Sequence, residues 1–161
     1  TITINGFSKA YSMTGWRLGY AAGPKPFMKA MGALQSHCAS APNTFAQYGA
    51  VAALEHGEAF VGMMQAAFAG RRALLYGVLE QIEGVVCSKP MGAFYMFPDI
   101  SSFGLDSVAF AKQLLETKHV AVVPGVAFSA DENVRLSYAC GAAEIEEGMR
   151  RMGEFCGQLR R

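Results

Sequence analysis

From Glu58 to about Glu83 the apolar residues Val61, Met64, Phe68, Leu75, Leu79 and Ile82 recur at three- and four-residue steps. That periodicity predicts one amphipathic helix of about 25 residues, roughly 37 Å long at the standard rise. A helix of that length can begin in one domain and end in another. It carries Arg71 and Arg72 on its far side. The rest of the chain falls into a stretch before it and a stretch after it.

After the helix, strand and helix patterns alternate. Phe94–Phe97 reads as a strand behind the Pro90-Met91-Gly92 turn, and Ser107–Thr117 as a helix with Val108, Ala111, Leu114 and Leu115 inward. Val120–Val123 reads as a strand stopped by Pro124-Gly125, and Val134–Ser137 as another. A last helix from about Ala143 to Leu159 aligns Ile145, Met149, Met152, Cys156 and Leu159. Glu144, Glu146 and Glu147 at its start, with Arg160 and Arg161 at its end, complement the helix dipole. With 52% apolar and 17% charged residues over 161 positions, the chain can bury a core. A small sheet covered by helices accounts for residues after about 80.

The front is less complete. Thr1 to Ile4 alternates in the period-two pattern of a strand that Asn5-Gly6 ends, and Leu18–Ala22 reads as a second strand closed by Gly23-Pro24. Pro26 opens a helix to about Gln35, Ser36–Asn43 reads as a loop, and Asn43 caps a second helix ending near Glu55. The chain starts on Thr1 rather than Met, directly in a strand pattern, so preceding sequence is expected. Residues 1 to about 55 look like a piece of something larger.

Three cations stand where cations are costly. Lys9 is the only charge before Arg17 and belongs just past the carboxyl end of the first strand, where open α/β sheets place ligands. Low-polarity surroundings would disfavour its ammonium form and expose a nucleophilic amine; the alternative is a surface lysine in a loop. Arg17 lies between Trp16 and Leu18, and Arg135 between Val134 and Leu136. A guanidinium cannot shed its charge, so each needs an anion. That anion is either an internal acid, with Asp99, Asp131 and Glu132 available, or a ligand carrying a phosphate and a carboxylate.

Other chemistries find little support. A formal charge of +1 without a basic cluster gives no footprint for nucleic acid. Apolar stretches are short and interrupted, so no membrane span is expected, and no signal peptide pattern opens the chain. Cys38, Cys87, Cys140 and Cys156 are scattered, which fits reduced thiols in a cytoplasmic protein better than metal binding or disulfides. His37, His56 and His119 have no ligand spacing and read as structural or surface residues.

The stretch from Asn5 through Ser8, Lys9, Met13, Thr14, Gly15, Trp16 and Arg17 to Tyr20 resembles the pyridoxal-phosphate attachment site of class I/II aminotransferases. In that signature a small residue precedes the lysine, a glycine follows six residues later and an arginine eight later. Pro90–Tyr95 resembles the family's Gly-Ala-Phe-Tyr strand, Val122–Phe128 its Pro-Gly loop, and Asn133–Ala139 its carboxylate-binding strand. Met13-Thr14-Gly15-Trp16-Arg17 and Val134–Ala139 are most similar to bacterial-type aspartate aminotransferase relatives.

The resemblance implies an α/β chain of the pyridoxal-phosphate-dependent transferase fold (fold type I). Residues 1–57 would be the end of the large domain, 58–83 the interdomain helix and 84–161 the α+β small domain. Lys9 would form a Schiff base with pyridoxal 5'-phosphate and then move a proton between substrate Cα and cofactor C4′. Arg17 would bind the cofactor phosphate, helped by the Ser8 hydroxyl, and Arg135 the substrate α-carboxylate. Gly15 would provide the turn returning Arg17 towards Lys9, while Phe94, Tyr95 and Phe128 edge the pocket or anchor the core.

Substrates would be an amino acid, aspartate by subgroup resemblance, and a 2-oxo acid, in a cytoplasmic homodimer. The family's glycine-rich phosphate turn, ring-stacking aromatic and ring-binding Asp have no counterpart here. These 161 residues alone are therefore expected to lack turnover. A pyridoxal-phosphate-dependent carbon–sulfur lyase and a non-catalytic remnant of the fold are the other readings.

Overall fold

Strand β1 (Thr3–Gly6) pairs antiparallel with β2 (Gly19–Ala22), with Thr3 opposite Ala22 and Gly6 opposite Gly19. The base of this hairpin closes around a glycine pair. A Cβ on Gly19 would lie 2.9 Å from the Asn5 carbonyl oxygen, a distance no side chain tolerates. The computed structural model describes residues 1–160, which divide into two compact units, Thr1–Gln65 and a second beginning at Ala66.

In the first unit, α1 (Lys25–Ala39) opens with proline in its first turn, as the sequence predicts. It continues past Gln35 through the expected loop, and Ser36 Oγ donates to the Ala33 carbonyl within it at 2.8 Å. The stop is Ser40, whose φ of 56° leaves the helical region just before Pro42. Helix α2 (Thr44–His56) is capped by Asn43, whose Oδ1 accepts from the Phe45 and Ala46 amides at 3.0 and 3.4 Å.

These elements bury little. No residue of α1 is buried, and in α2 only Ala46 and Ala50 are. Ile4 is 76% exposed, and Phe27, Met31 and Leu34 of α1 and Phe45, Tyr48, Val51 and Leu54 of α2 are exposed as well. A two-stranded hairpin with bare faces is marginal by itself.

Helix α3 (Glu58–Leu79) is 22 residues long and stops four residues before the expected end. Its apolar stripe continues, but the Gln81 and Ile82 amides bond to carbonyls only three residues back, and Gly84 at φ 91° turns the chain. Arg72 is not on an outer face: its guanidinium donates to the Pro90 carbonyl at 3.3 Å, and Nε is buried. Arg71 lies over the Phe68 ring at 5.3 Å.

The second unit closes its own core. Strands β3 (Tyr95–Met96), β4 (Val123–Pro124) and β5 (Val134–Ser137) form an antiparallel sheet in the order β3-β5-β4. β4 starts three residues later than the sequence suggests, because His119 takes a left-handed conformation after α4 (Ser107–Lys118) and residues 120–122 are a connection. Pro124 can belong to the strand because β4 is an edge and its missing N–H costs no sheet bond.

Val134 and Leu136 of β5 and Met96 of β3 meet Phe110 and Leu114 of α4, Leu75 and Leu79 of α3, and the stripe of α5 (Ala142–Leu159). In α5, Ile145, Met149, Met152 and Cys156 are buried as the periodicity predicts, together with Phe155. Outside, Glu147 pairs with Arg150 and Arg151, whose hydrogen bonds lower its carboxyl to about 2. Arg160 bonds Glu83, and Arg161 lies outside the described residues.

Helix α4 corrects the sequence reading. Ser107, Phe110, Ala111 and Leu114 face inward, whereas Val108 and Leu115 are exposed. The stripe has turned by one residue because the larger Phe110 takes the core and Ser107 is fixed at the helix start. Leu114→Ala should therefore lower the unfolding free energy by about 2–5 kcal/mol, against under about 1 kcal/mol for Leu115→Ala, in urea titrations of the chain. Equal losses would contradict the observed rotation of α4.

Candidate active site

Lys9 and Arg17 both stand on the connection between β1 and β2. Phe7 and Met13, buried at either side of Lys9, pin that connection to the first unit's small core with Ala50. The Met13 amide donates to the Phe7 carbonyl at 3.3 Å, the Ser12 amide to the Lys9 carbonyl at 3.2 Å, and the Phe7 amide to the Leu18 carbonyl at 3.2 Å. Phe7 also packs on the rings of Tyr11 and Tyr20, with centroids 5.5 and 5.6 Å away. The backbone carrying Lys9 is thus tied at both ends, and the Lys9 side chain is exposed. The low-polarity surroundings expected for it are not supplied by the described residues.

Next comes a 3₁₀ turn at Thr14–Trp16, ended by Arg17 in the left-handed region at φ 52° and ψ 50°. Ser8 is tied to this turn, since its carbonyl accepts from Thr14 Oγ1 at 2.9 Å. Arg17 donates from Nη1 to the Thr14 carbonyl at 3.0 Å, which holds its side chain back along the turn. Its guanidinium lines a cleft of about 390 Å³ with Gly15, Trp16, Asn43 and Phe45. It also borders a second cleft of about 560 Å³ beside the β1–β2 hairpin.

Gly15 does not play the part the sequence suggests. A Cβ there would meet nothing within 4 Å, and the left-handed residues of the connection are Ser12 and Arg17. The required glycine is Gly49 on α2, where a Cβ would sit 2.5 Å from the Trp16 ring. Gly49 lets the helix approach the indole and so seats the turn that carries Arg17. Phe45 adds an edge-on contact to the same indole at 6.0 Å. Gly49 stands over thirty residues beyond Trp16 in an Ala-rich helix, so only a close approach in three dimensions exposes its role.

Arg135 belongs to the second unit. Val134 and Leu136 are buried on the core side of β5, so alternation sends Arg135 to the opposite side. Its guanidinium carbon is 4.3 Å from the Tyr95 ring centroid and 4.7 Å from that of Phe128. Stacking of this kind engages the faces of a guanidinium and leaves its in-plane N–H donors for a planar anion. Phe128 is braced edge-on by Phe97 at 5.8 Å. Phe94 packs instead with Phe68, on the core side.

Among the described residues neither Arg17 nor Arg135 forms an ion pair. Two of the three acids available to them by sequence are otherwise engaged. Asp131 Oδ1 accepts from the Ser107 amide and hydroxyl, and Asp99 Oδ1 from the Ser101 amide. The internal salt bridge weighed for these arginines is therefore not formed. In the second unit's core, burial pushes the Cys156 thiol up to about 11.

The sequence model of the family described as aminotransferase class I and II matches residues 1–152. The fold is the α/β architecture of pyridoxal-phosphate-dependent transferases, fold type I. This chain belongs to the class I and II aminotransferase family. It is 46% identical to the aspartate/prephenate aminotransferase of Cereibacter sphaeroides, an alignment covering 99% of this chain and 42% of that protein. Identity to the aspartate aminotransferase of Geobacillus stearothermophilus is 47%, covering 96% and 41%.

Among solved structures, the aromatic aminotransferase from Pyrococcus horikoshii aligns with a TM-score of 0.93 at 41% identity, covering 99% of this chain and 44% of that one. Thermus thermophilus aspartate aminotransferase with maleate gives 0.90 at 43%, covering 96% and 41%. The chain thus spans about two fifths of the length of the relatives it matches.

Trp16 is the sole tryptophan of the sequence and reports directly on the Arg17 turn. Gly49→Ala should push the indole off α2, shifting its fluorescence to longer wavelength and increasing its quenching by acrylamide. An unchanged emission spectrum would show that α2 does not hold the turn.

Proposed function

We propose that this chain is the carboxyl-terminal portion of a pyridoxal-phosphate-dependent aminotransferase that transfers the amino group of an L-amino acid, aspartate foremost, to a 2-oxo acid. The observation that carries the reading is the placement of a primary amine, Lys9, and an arginine without an acidic partner, Arg17, on one tied connection beside an open cleft. Residues 1–57 are the end of the large cofactor-binding domain, 58–83 the interdomain segment, helical to Leu79, and 84–161 the small domain.

The donor set suits the cofactor. A phosphate needs fixed cationic or N–H donors, and Arg17 offers a forked guanidinium with only one bond to its own turn among the described residues. Ser8, tied to the same turn through Thr14, adds a hydroxyl. Lys9 would hold the cofactor covalently through Nζ, and the same amine, once released, would accept and hand on the proton lost from substrate Cα. The pyridine ring, when bound, takes up the electron pair left on Cα.

Arg135 binds the substrate α-carboxylate in plane, with Tyr95 and Phe128 limiting the tilt of its guanidinium. The relatives named aspartate aminotransferases, and the Thermus structure with maleate, a dicarboxylate, support an acidic substrate. They also favour amino transfer over carbon–sulfur cleavage. We further infer a homodimer that works in the cytoplasm. Among the described residues no helix is long and apolar enough to cross a membrane. The isolated 161 residues lack turnover, since the walls that would enclose Lys9 are not among them.

The test is steady-state transfer from aspartate to 2-oxoglutarate by the whole protein. Loss of a charge-assisted bidentate pair in Arg135→Ala should raise the KM for aspartate about 10- to 100-fold. Arg17→Ala should raise the apparent Kd for pyridoxal phosphate by a similar factor of about 10 to 100, with less effect on the KM for aspartate. An Arg135→Ala enzyme with unchanged KM for both substrates would remove the carboxylate role.

A further inference from the structure

Ser107 is fully buried, the one polar residue so enclosed among the described residues. Its hydroxyl donates to Asp131 Oδ1 at 2.6 Å and accepts from the Val126 amide at 3.1 Å. Its own amide donates to the same Asp131 oxygen at 3.1 Å and also reaches the Asp131 carbonyl at 3.1 Å. One side chain therefore joins the start of α4, the 3₁₀ turn at Gly125–Phe128 and the stretch that leads into β5.

Besides this bond to Ser107, the turn has the edge-on contact of Phe128 with Phe97 at 5.8 Å. Val126 and Phe128 are 50% and 45% exposed, so burial of its side chains does not define its position. Backbone bonds close its base: the Gly125 amide donates to the Asn133 carbonyl at 2.8 Å, and the Ala130 amide to the Gly125 carbonyl at 3.1 Å. Gly125 has no room for a Cβ, which would lie 2.1 Å from the Ala130 carbonyl oxygen. Between base and tip, the bond from the Val126 amide to Ser107 Oγ is the link to the core. At the tip Phe128 bears on Arg135 at 4.7 Å.

Asp131 lies four residues before Arg135 in the sequence and forms no ion pair with it among the described residues. Its carboxylate is instead held at the amino-terminal end of α4, on the Ser107 amide and hydroxyl, where the helix dipole favours an anion. Arg135 is left to the two aromatic rings, with its in-plane donors unused among the described residues.

We propose that Ser107, oriented by Asp131, latches the turn to the start of α4 and so positions Phe128 against Arg135, so that the latch sets affinity for the α-carboxylate of the substrate. The proposal rests on the reading of Arg135 as the carboxylate anchor. Ser107 and Asp131 touch no substrate in it; they are positioning residues. Breaking the latch frees the turn and loosens Phe128 on the guanidinium.

The test uses the whole protein loaded with pyridoxal phosphate, with aspartate as the probe. Ser107→Ala and Asp131→Ala should each raise the KM for aspartate about 10-fold with kcat within about twofold of the parent. Asp131→Asn keeps an acceptor oxygen for Ser107 and should recover most of that loss. Phe128→Ala, at the exposed tip, provides a variant that does not disturb buried packing, and should raise KM in the same way.

A primary amine without an α-carboxylate, followed in single-turnover reaction, should react equally with parent and Ser107→Ala. A general loss of structure would slow both substrates. If Arg135→Ala raises the KM for aspartate while Ser107→Ala, Asp131→Ala and Phe128→Ala leave it unchanged, the latch is overturned and the anchor stands. If Arg135→Ala itself changes nothing, the anchor falls and the latch with it.

Discussion

A guanidinium keeps its proton at any pH at which a protein stays folded, so every partly enclosed arginine must be given an anion or left to find one. Arg17 and Arg135 are left to find one. Asp99 and Asp131 are occupied by backbone amides and a serine hydroxyl, and the side chains around the two arginines are aromatic or backbone carbonyl. Much of the local architecture follows from holding these two cations in place without neutralising them. The 3₁₀ turn seated on Gly49 does so for Arg17, and the Tyr95–Phe128 bracket does so for Arg135.

The two units differ in how they are stabilised. The second buries a continuous core drawn from α3, α4, α5 and the sheet. The first has a core of only Phe7, Met13 and Ala50, while large apolar side chains of β1, α1 and α2 face outward. The chain covers about two fifths of the length of the relatives it matches. The physical cost falls on the unit that carries Lys9.

Features set by local chemistry were legible in the sequence. The Asn43 cap, the proline start of α1, the β5 strand and the buried stripe of α5 depend on neighbours a few residues away and stand as read. Lys9 and Arg17 were found through a motif on one short connection. What escaped depends on distant partners. The rotation of α4 follows from Ser107 meeting Asp131, 24 residues on, and the role of Gly49 from its approach to Trp16. The early end of α3 reflects i to i+3 bonds that an apolar stripe does not distinguish from a continuing helix.

The central claim is that Lys9 is the covalent anchor of the cofactor. It is tested most directly by reducing the whole protein with borohydride in the presence of pyridoxal phosphate and mapping the modified peptide by mass spectrometry. A pyridoxyl group should appear on Lys9, with loss of transaminase activity in proportion to labelling. A label on another lysine, or a fully active enzyme that takes up no label, would contradict it.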